Sequence, residues 1–164
     1  ERLREGRIHV GMSRYIGEFE QPQDLTHRLM FDDPFVVALP VNHRLAKKKS
    51  VRTADLDGVP YIVYPKDPQS PFSQKTLAVL RNAGANPVVT YEAVEIHTAL
   101  ALVAAGLGVT LVGRSIAENN RNDIAFVPVS DMTIGSKMVV VTRTNETGKT
   151  VEACLDVLLD QTPG

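Results

Sequence analysis

Groups suited to binding a carboxylate gather in two short segments of the sequence. Ser70-Pro71-Phe72-Ser73 combines two hydroxyls with an aromatic ring, and Glu95-Ile96-His97-Thr98 opens an apolar pattern at helical spacing. The first backbone N–H groups of a helix have no partner inside the helix, so they attract anions and acceptor oxygens. These residues predict a site that holds a small anion without converting it. The candidate residues of these two segments are Ser70, Pro71, Phe72, Ser73, Glu95, Ile96 and Thr98, together with the neighbouring Pro68.

A third candidate segment, Gly11 to Arg14, follows the first predicted strand. Ser13 adds a hydroxyl, and the Arg14 guanidinium has the planar fork that binds a carboxylate through two hydrogen bonds. The alternative for Arg14 is an ion pair with Glu18 or Asp33 on the surface.

Three of the other candidates have structural alternatives. Ser70 suits the N-cap of a helix whose first position is Pro71, and Phe72 could belong to the core. Glu95 is itself an acid, so direct contact with a carboxylate would be unfavourable. We expect Glu95 to set a hinge or to pair with a cation.

The sequence lacks the motifs of the common catalytic and metal sites. It contains no Gly-x-Ser-x-Gly elbow, no phosphate-binding loop and no histidine pair at metal-ligand spacing. We therefore expect no enzyme activity, no metal and no cofactor.

The elements that would position these residues alternate between strands and helices. Strands are predicted at Ile8 to Met12, Pro60 to Tyr64, Val88 to Glu92 and Val109 to Val112. A helix beginning at Ser70-Pro71 ends at Gly84, and Ile96, Leu100, Val103 and Leu107 mark a second helix that Gly106 and Gly108 end. This alternation predicts an α/β fold with a mostly parallel sheet, whose ligands bind outside the carboxyl ends of the strands.

Two crossing points divide the chain into two predicted lobes. Asp32-Asp33-Pro34 interrupts a long apolar run, and Gly135-Ser136-Lys137 precedes another apolar strand. Proline lacks an N–H, which disfavours a central strand at the first of these points. We predict a discontinuous lobe formed by residues 1–32 and 135–164, and a second lobe formed by residues 33–134, with the C-terminal helix, about 147–161, packed on the first lobe.

Composition narrows the class of protein. The 164 residues are 43% hydrophobic and 23% charged, with a formal net charge of −1. This is a globular composition without the basic excess of a nonspecific nucleic-acid surface. Cys154 is the single cysteine and lies at core spacing in a predicted helix, so we expect a buried thiol and a reducing cytoplasm. There is no secretory segment or long apolar run, so we expect no membrane contact.

Several motifs in order resemble one protein family along nearly the whole chain. They are Leu3 to Met12, the run Val37-Ala38-Leu39-Pro40-Val41-Asn42-His43-Arg44-Leu45-Ala46, Ala54-Asp55-Leu56, and Leu102 to Val109 with the strand that follows. The pattern resembles the effector-binding domain of LysR-type bacterial transcriptional regulators. One departure is His9, where the family usually has an aspartate. The segments Tyr64 to Ser73 and Val94-Glu95-Ile96 resemble the members that sense muconate or chloromuconate.

The resemblance implies two Rossmann-like lobes around a ligand cleft, in the type 2 periplasmic-binding-protein architecture. It implies a small carboxylate effector, with cis,cis-muconate or chloromuconate favoured, and regulation of aromatic-degradation genes by an activator that forms homodimers or homotetramers. A winged helix-turn-helix domain that binds the DNA, a linker helix, and the first strand and helix of the sensing domain would precede Glu1. The first lobe is therefore expected to be truncated at its N-terminus. Arg14 matches a position that helps to sense a second, aromatic effector in some members.

Two other classes of protein remain open at this point. A periplasmic-type solute-binding protein for a small anion or an amino acid shares the two-lobed architecture but would carry a secretion signal. A two-lobed enzyme resembling prephenate dehydratases or aminotransferases would convert its ligand.

Overall fold

A computed structural model describes residues 1–18, 21–67, 70–119 and 121–160 of the chain. The strands are β1 (Val10–Ile16), β2 (Leu25–Asp33), β3 (Phe35–Pro40), β4 (Pro60–Val63), β5 (Val88–Glu92), β6 (Thr110–Gly113), β7 (Ile124–Pro128) and β8 (Ser136–Arg143). The α-helices are α1 (Phe72–Asn82), α2 (Ile96–Ala104) and α3 (Lys149–Asp160), and short 3-10 helices cover Thr53–Leu56 and Arg114–Asn119.

The contacts within the chain define two compact units. Unit 1 comprises Glu1–Asp33 and Gly135–Gly164, and unit 2 comprises Pro34–Ile134. The chain passes from one unit to the other between β2 and β3 and again just before β8.

Unit 1 contains a three-stranded antiparallel sheet in the order β1-β8-β2. The centre of β8 is a run of valines, and Val139, Val140 and Val141 are all buried. Val151 and Leu155 of α3 pack against Val140. A β-branched run that is apolar on both faces therefore occupies the middle of the sheet, where it is covered on both sides.

The predicted burial of Cys154 is wrong, because this cysteine is exposed. The buried face of α3 contains Val151 and Leu155, with the partly buried Leu158 and Leu159 beside them. Cys154 lies about 60° around the helix from Val151, outside that stripe. Helical spacing thus predicted the buried stripe of α3 correctly, but it wrongly included Cys154 in that stripe.

Unit 2 contains an antiparallel sheet in the order β6-β3-β7 and a parallel pair formed by β4 and β5. All six residues of β3 are buried. The expectation of a mostly parallel sheet is wrong for β3, β6 and β7 and for the sheet of unit 1. It holds where a helix connects neighbouring strands, because a helical crossover returns the chain in the same direction.

Two backbone hydrogen bonds join the parallel pair to the residue before β6. The N–H of Ile62 donates to Val109 at 2.9 Å, and the N–H of Val109 donates to Pro60 at 2.9 Å, in a parallel bridge. A Cβ built at Gly108 would lie 2.9 Å from the Pro60 oxygen. Glycine is therefore required where this chain passes β4.

A glycine directly follows the C-cap residue of α1 and of α2, as predicted for Gly84 and Gly106. Gly84 and Gly106 have φ values of +86° and +78°, in the left-handed region that glycine adopts without strain. The buried side chains of α2 are Ala99, Leu100 and Val103. Leu107, predicted to belong to this stripe, lies beyond the helix end and is exposed.

None of the helices among the described residues is long and apolar enough to cross a membrane.

Candidate functional site

The carboxyl ends of β4 and β5 lie side by side. Val63 is in register with Glu92 across the parallel pair. The N–H of Ala93 donates to Val63 at 2.8 Å, and the N–H of Lys66 donates back to Ala93 at 2.8 Å. The Lys66 ammonium also pairs with the Glu92 carboxylate at 3.3 Å. The two segments predicted to bind a carboxylate therefore leave the sheet next to each other.

The first segment leads into α1. Pro71 is the N-cap of this helix, not its first residue, and it provides no side-chain cap. The Ser70 hydroxyl lies 3.5 Å from the N–H of Phe72, a long contact that leaves the hydroxyl able to bind other groups. Phe72 and Ser73 are half-buried. The N-cap predicted at Ser70 is thus displaced by one residue, and Pro68 lies outside the described residues.

The ring of Tyr64 contacts the ring of Phe72, which the sequence did not predict. The two ring centroids are 5.8 Å apart, with 47° between the ring planes. The Tyr64 hydroxyl donates to the carbonyl oxygen of Leu111 at 3.1 Å. Tyr64 therefore joins the start of α1 to β6.

Tyr61 binds the backbone N–H of Leu111, the same residue whose carbonyl oxygen binds Tyr64. Its fully buried hydroxyl accepts the N–H of Leu111 at 3.2 Å, and burial raises the pKa of Tyr61 to about 12. Both polar groups of the Leu111 backbone are thus bound by tyrosine hydroxyls. The only sequence signal was the three-residue spacing of the two tyrosines, which does not identify a hydrogen-bond acceptor.

The second segment leads into α2, and Glu95 is its N-cap. The Glu95 carboxylate accepts the N–H of His97 at 2.8 Å and the N–H of Thr98 at 2.7 Å. It also accepts the hydroxyl of Thr98 at 2.7 Å. These hydrogen bonds, led by that of the Thr98 hydroxyl, hold the pKa of Glu95 below its ordinary value.

The sequence suggested that Glu95 sets a hinge or pairs with a cation. It did not predict that the Glu95 side chain caps α2. Glutamate is uncommon as an N-cap, because its longer chain must fold back to reach the amides. Here the amides of His97 and Thr98 already bind a carboxylate that belongs to the chain. A ligand carboxylate would reach these two donors only if the Glu95 side chain moved away. Ile96, the first residue of α2, packs against the core.

The two candidates in unit 1, Ser13 and Arg14, lie within β1. The prediction that they follow the first strand is wrong. Arg14 pairs with the carboxylate of Asp33 and donates to the Ser136 hydroxyl at 2.8 Å. The Ser136 hydroxyl donates in turn to the Asp33 backbone oxygen at 2.7 Å. The alternative of an Arg14–Asp33 pair is therefore correct, but Asp33 is only 1% exposed, so the pair is not a surface one.

Outside these segments, the described residues form open cavities but no cluster of metal-ligating side chains. No group of three or more His, Cys, Asp or Glu side chains in that part of the chain is placed to hold a metal ion. Two open cavities of about 350 and 340 Å³ lie in unit 1, around Arg143 and Thr144. Neither is lined by a residue that the sequence marked as a candidate.

The sequence matches the family model described as the LysR substrate binding domain over residues 1–163. It is 32% identical over 161 residues to the HTH-type transcriptional regulator CatR of Pseudomonas putida, covering 98% of this chain and 54% of that protein. It is 32% identical over 133 residues to the regulator BenM of Acinetobacter baylyi, covering 80% of this chain and 43% of BenM. The chain thus spans about half the length of these relatives, which are transcriptional regulators and not enzymes.

Solved structures share the fold. The structure of the BenM effector binding domain with its effector benzoate superposes with a TM-score of 0.82 at 25% identity, over 97% of this chain and 71% of that one. CbnR complexed with its target DNA gives a TM-score of 0.85 at 21% identity, over 99% of this chain and 56% of that one, which shows the fold alone.

Proposed function

The chain belongs to the LysR substrate-binding domain family, and from this premise we propose that it senses a small effector for a bacterial transcriptional regulator of aromatic catabolism. The fold is the mixed α/β, type 2 periplasmic-binding-like fold of that family. Relatives named as regulators, CatR and BenM among them, support the proposal. Sensing requires that the effector bind one conformation of the protein more tightly than another.

The proposed effector is a small carboxylate, with cis,cis-muconate or chloromuconate favoured. The adjacency of the β4 and β5 carboxyl ends is the observation that carries this proposal, because it brings hydroxyls, an aromatic ring and two helix N-termini to one edge of unit 2. Helix N-termini favour negative charge, and serine hydroxyls donate to carboxylate oxygens.

The proposed effector-binding residues are Ser70, Pro71, Phe72, Ser73, Glu95, Ile96 and Thr98 of unit 2, with Pro68, and Ser13 and Arg14 of unit 1. Glu95 contributes by capping α2 and by controlling access to the amides of His97 and Thr98. The two regulatory lobes, 1–32 with 135–164 and 33–134, and an effector cleft between them stay predictions.

The wider setting is part of the same proposal. The regulator acts in the cytoplasm as a homodimer or homotetramer that assembles through this domain, and it activates transcription. It contacts DNA through a winged helix-turn-helix domain outside this chain.

The first experiment measures the thermal unfolding midpoint of the chain with cis,cis-muconate, 2-chloromuconate, benzoate and common amino acids. A ligand that binds the folded state raises the midpoint by mass action. We expect a selective rise with the muconates. A rise only with amino acids would favour a solute-binding protein, and no rise with any carboxylate would contradict the proposed effector.

Isothermal titration then tests the proposed residues one at a time. The variants Ser70→Ala, Phe72→Ala and Ser73→Ala should each weaken muconate binding, by about threefold to thirtyfold for the loss of one hydrogen bond or apolar contact. Ser50→Ala is the matched control, because Ser50 is an exposed serine of the same unit and lies outside its helices and strands. Unchanged affinity in all three variants would reject the site.

A further inference from the structure

The contact between Tyr64 and Phe72 adds a residue to the site that the proposed function did not include. We propose that Tyr64 determines the specificity of this site by holding the Phe72 ring in one orientation, so that its flat face forms an apolar wall that selects planar, unsaturated carboxylates over flexible, saturated ones. The inference rests on the proposed function, because it concerns the same site.

Tyr64 is fixed at both of its ends. On the backbone side, Lys66 and Val63 are bound to Ala93 through two hydrogen bonds of 2.8 Å. At the other end, the hydroxyl donates to Leu111 at 3.1 Å, and all four residues of β6 are buried. The ring between these points packs against the core cluster. A side chain held in this way keeps its ring in one position relative to its neighbours.

The neighbour that receives this support is Phe72. The centroid distance of 5.8 Å lies within the range of favourable aromatic pairs, and the tilt of 47° brings ring edge and ring face together. Phe72 is the first residue of α1, and the Ser70 hydroxyl lies near its N–H. Any displacement of the Tyr64 ring would therefore change the surface that Phe72 presents beside the proposed carboxylate-binding groups.

The bound hydroxyl also sets the polarity of this surface. Since it donates to Leu111, the Tyr64 side chain contributes its ring to the pair with Phe72 while its polar atom points to β6. The flat face of the fixed Phe72 ring matches a planar conjugated ligand without ordering it further. A saturated chain of equal length must lose rotational freedom to lie flat on the same wall. The wall should therefore discriminate by flatness and not by charge.

The test compares two dicarboxylates of equal length, cis,cis-muconate and adipate, by isothermal titration. The measured quantity is the ratio of their dissociation constants in the wild-type chain, in Tyr64→Phe and in Tyr64→Leu. Tyr64→Phe keeps the ring and removes its hydrogen bond to Leu111, whereas Tyr64→Leu removes the ring. Tyr91→Leu is the matched control, because Tyr91 is an exposed tyrosine of β5 in the same unit.

We expect the wild-type chain to prefer muconate and Tyr64→Leu to reduce that preference by about threefold to tenfold, the value of one aromatic contact. Tyr64→Phe should fall between the two, and Tyr91→Leu should keep the full preference. An equal loss of affinity for both ligands in Tyr64→Leu would show a merely structural role and overturn the inference. A full preference in Tyr64→Phe would overturn the role of the hydroxyl.

The test distinguishes a wrong effector from a wrong role for Tyr64. If the wild-type chain binds neither dicarboxylate, the proposed effector is wrong and the inference falls with it. If the wild-type chain prefers muconate and both Tyr64 variants keep that preference, the inference alone is wrong. The thermal unfolding midpoint of each variant is measured beside its affinity. Should Tyr64→Leu not fold, the ratio in the milder Tyr64→Phe decides.

Discussion

At the scale of single residues, Glu95 has the most direct effect on the proposed site. Its carboxylate binds the amides of His97 and Thr98. An N-cap of this kind stabilises a helix because it satisfies donors that would otherwise be left to water. The same three hydrogen bonds keep a negative charge where a carboxylate effector would be expected.

The Glu95 cap should make stability depend on pH. Its folded-state pKa is lowered from the ordinary value of 4.5, so the cap contributes fully above that value and is lost as pH falls through the folded pKa. Glu95→Gln should therefore lower the thermal unfolding midpoint at pH 7, and the difference from wild type should shrink below pH 4.5.

Glu18→Gln is the control for this measurement, since Glu18 is an exposed carboxylate outside the helices. A difference between Glu95→Gln and wild type that stays constant from neutral to acidic pH would contradict the assigned cap.

Residue-scale geometry was also the hardest to predict from sequence. Periodicity and helix-start signals placed Ser70 and Phe72 at the beginning of α1. They could not show that Tyr64 reaches Leu111, because that contact joins residues 47 positions apart and depends on how β6 packs. Nor could they show that the Glu95 side chain folds back onto its own helix.

At the scale of elements, the helices followed from the sequence and the strand directions did not. Apolar spacing and the glycines placed α1, α2 and α3 within a few residues of their observed ends. The pattern of a strand records which faces are buried, but not which way its neighbour runs. This is why the antiparallel pairing of β3 with β6 and β7 was missed.

The exposed position of Cys154 on α3 gives a direct test of how that helix packs. We expect the native chain to react with one equivalent of a thiol reagent without denaturant, because the side chain is exposed. Cys154→Ser should change the free energy of unfolding by no more than about 0.5 kcal/mol. Reaction that begins only in denaturant would show instead that Cys154 is buried, as its spacing had suggested.

At the scale of the whole molecule, the two units are each held by their own contacts. In unit 1, Arg14 joins the middle of β1 to Asp33 and Ser136, the residues at which β2 ends and β8 begins. The sequence marked both crossing points through Pro34 and Gly135. The sequence did not show that Arg14 contacts one residue at each crossing point, because the two points are about 100 residues apart in the chain.

Removing this arginine should weaken unit 1 selectively. Arg14→Ala leaves the nearly buried Asp33 carboxylate without its guanidinium, which should cost roughly 1.5 to 3 kcal/mol. Hydrogen exchange measured by mass spectrometry should show faster exchange in unit 1 and unchanged exchange in unit 2. Arg28→Ala, an exposed arginine of β2, serves as the control. Equal loss of protection in both units would contradict this local role.

The pair of tyrosines around Leu111 has a consequence for the stability of unit 2. The Tyr61 and Tyr64 hydroxyls bind the N–H and the C=O of a residue that is fully buried in β6. A buried backbone group that loses its partner costs free energy, because water cannot replace the lost hydrogen bond. The tyrosine that contacts Phe72 beside the proposed site therefore also keeps the interior backbone of β6 satisfied.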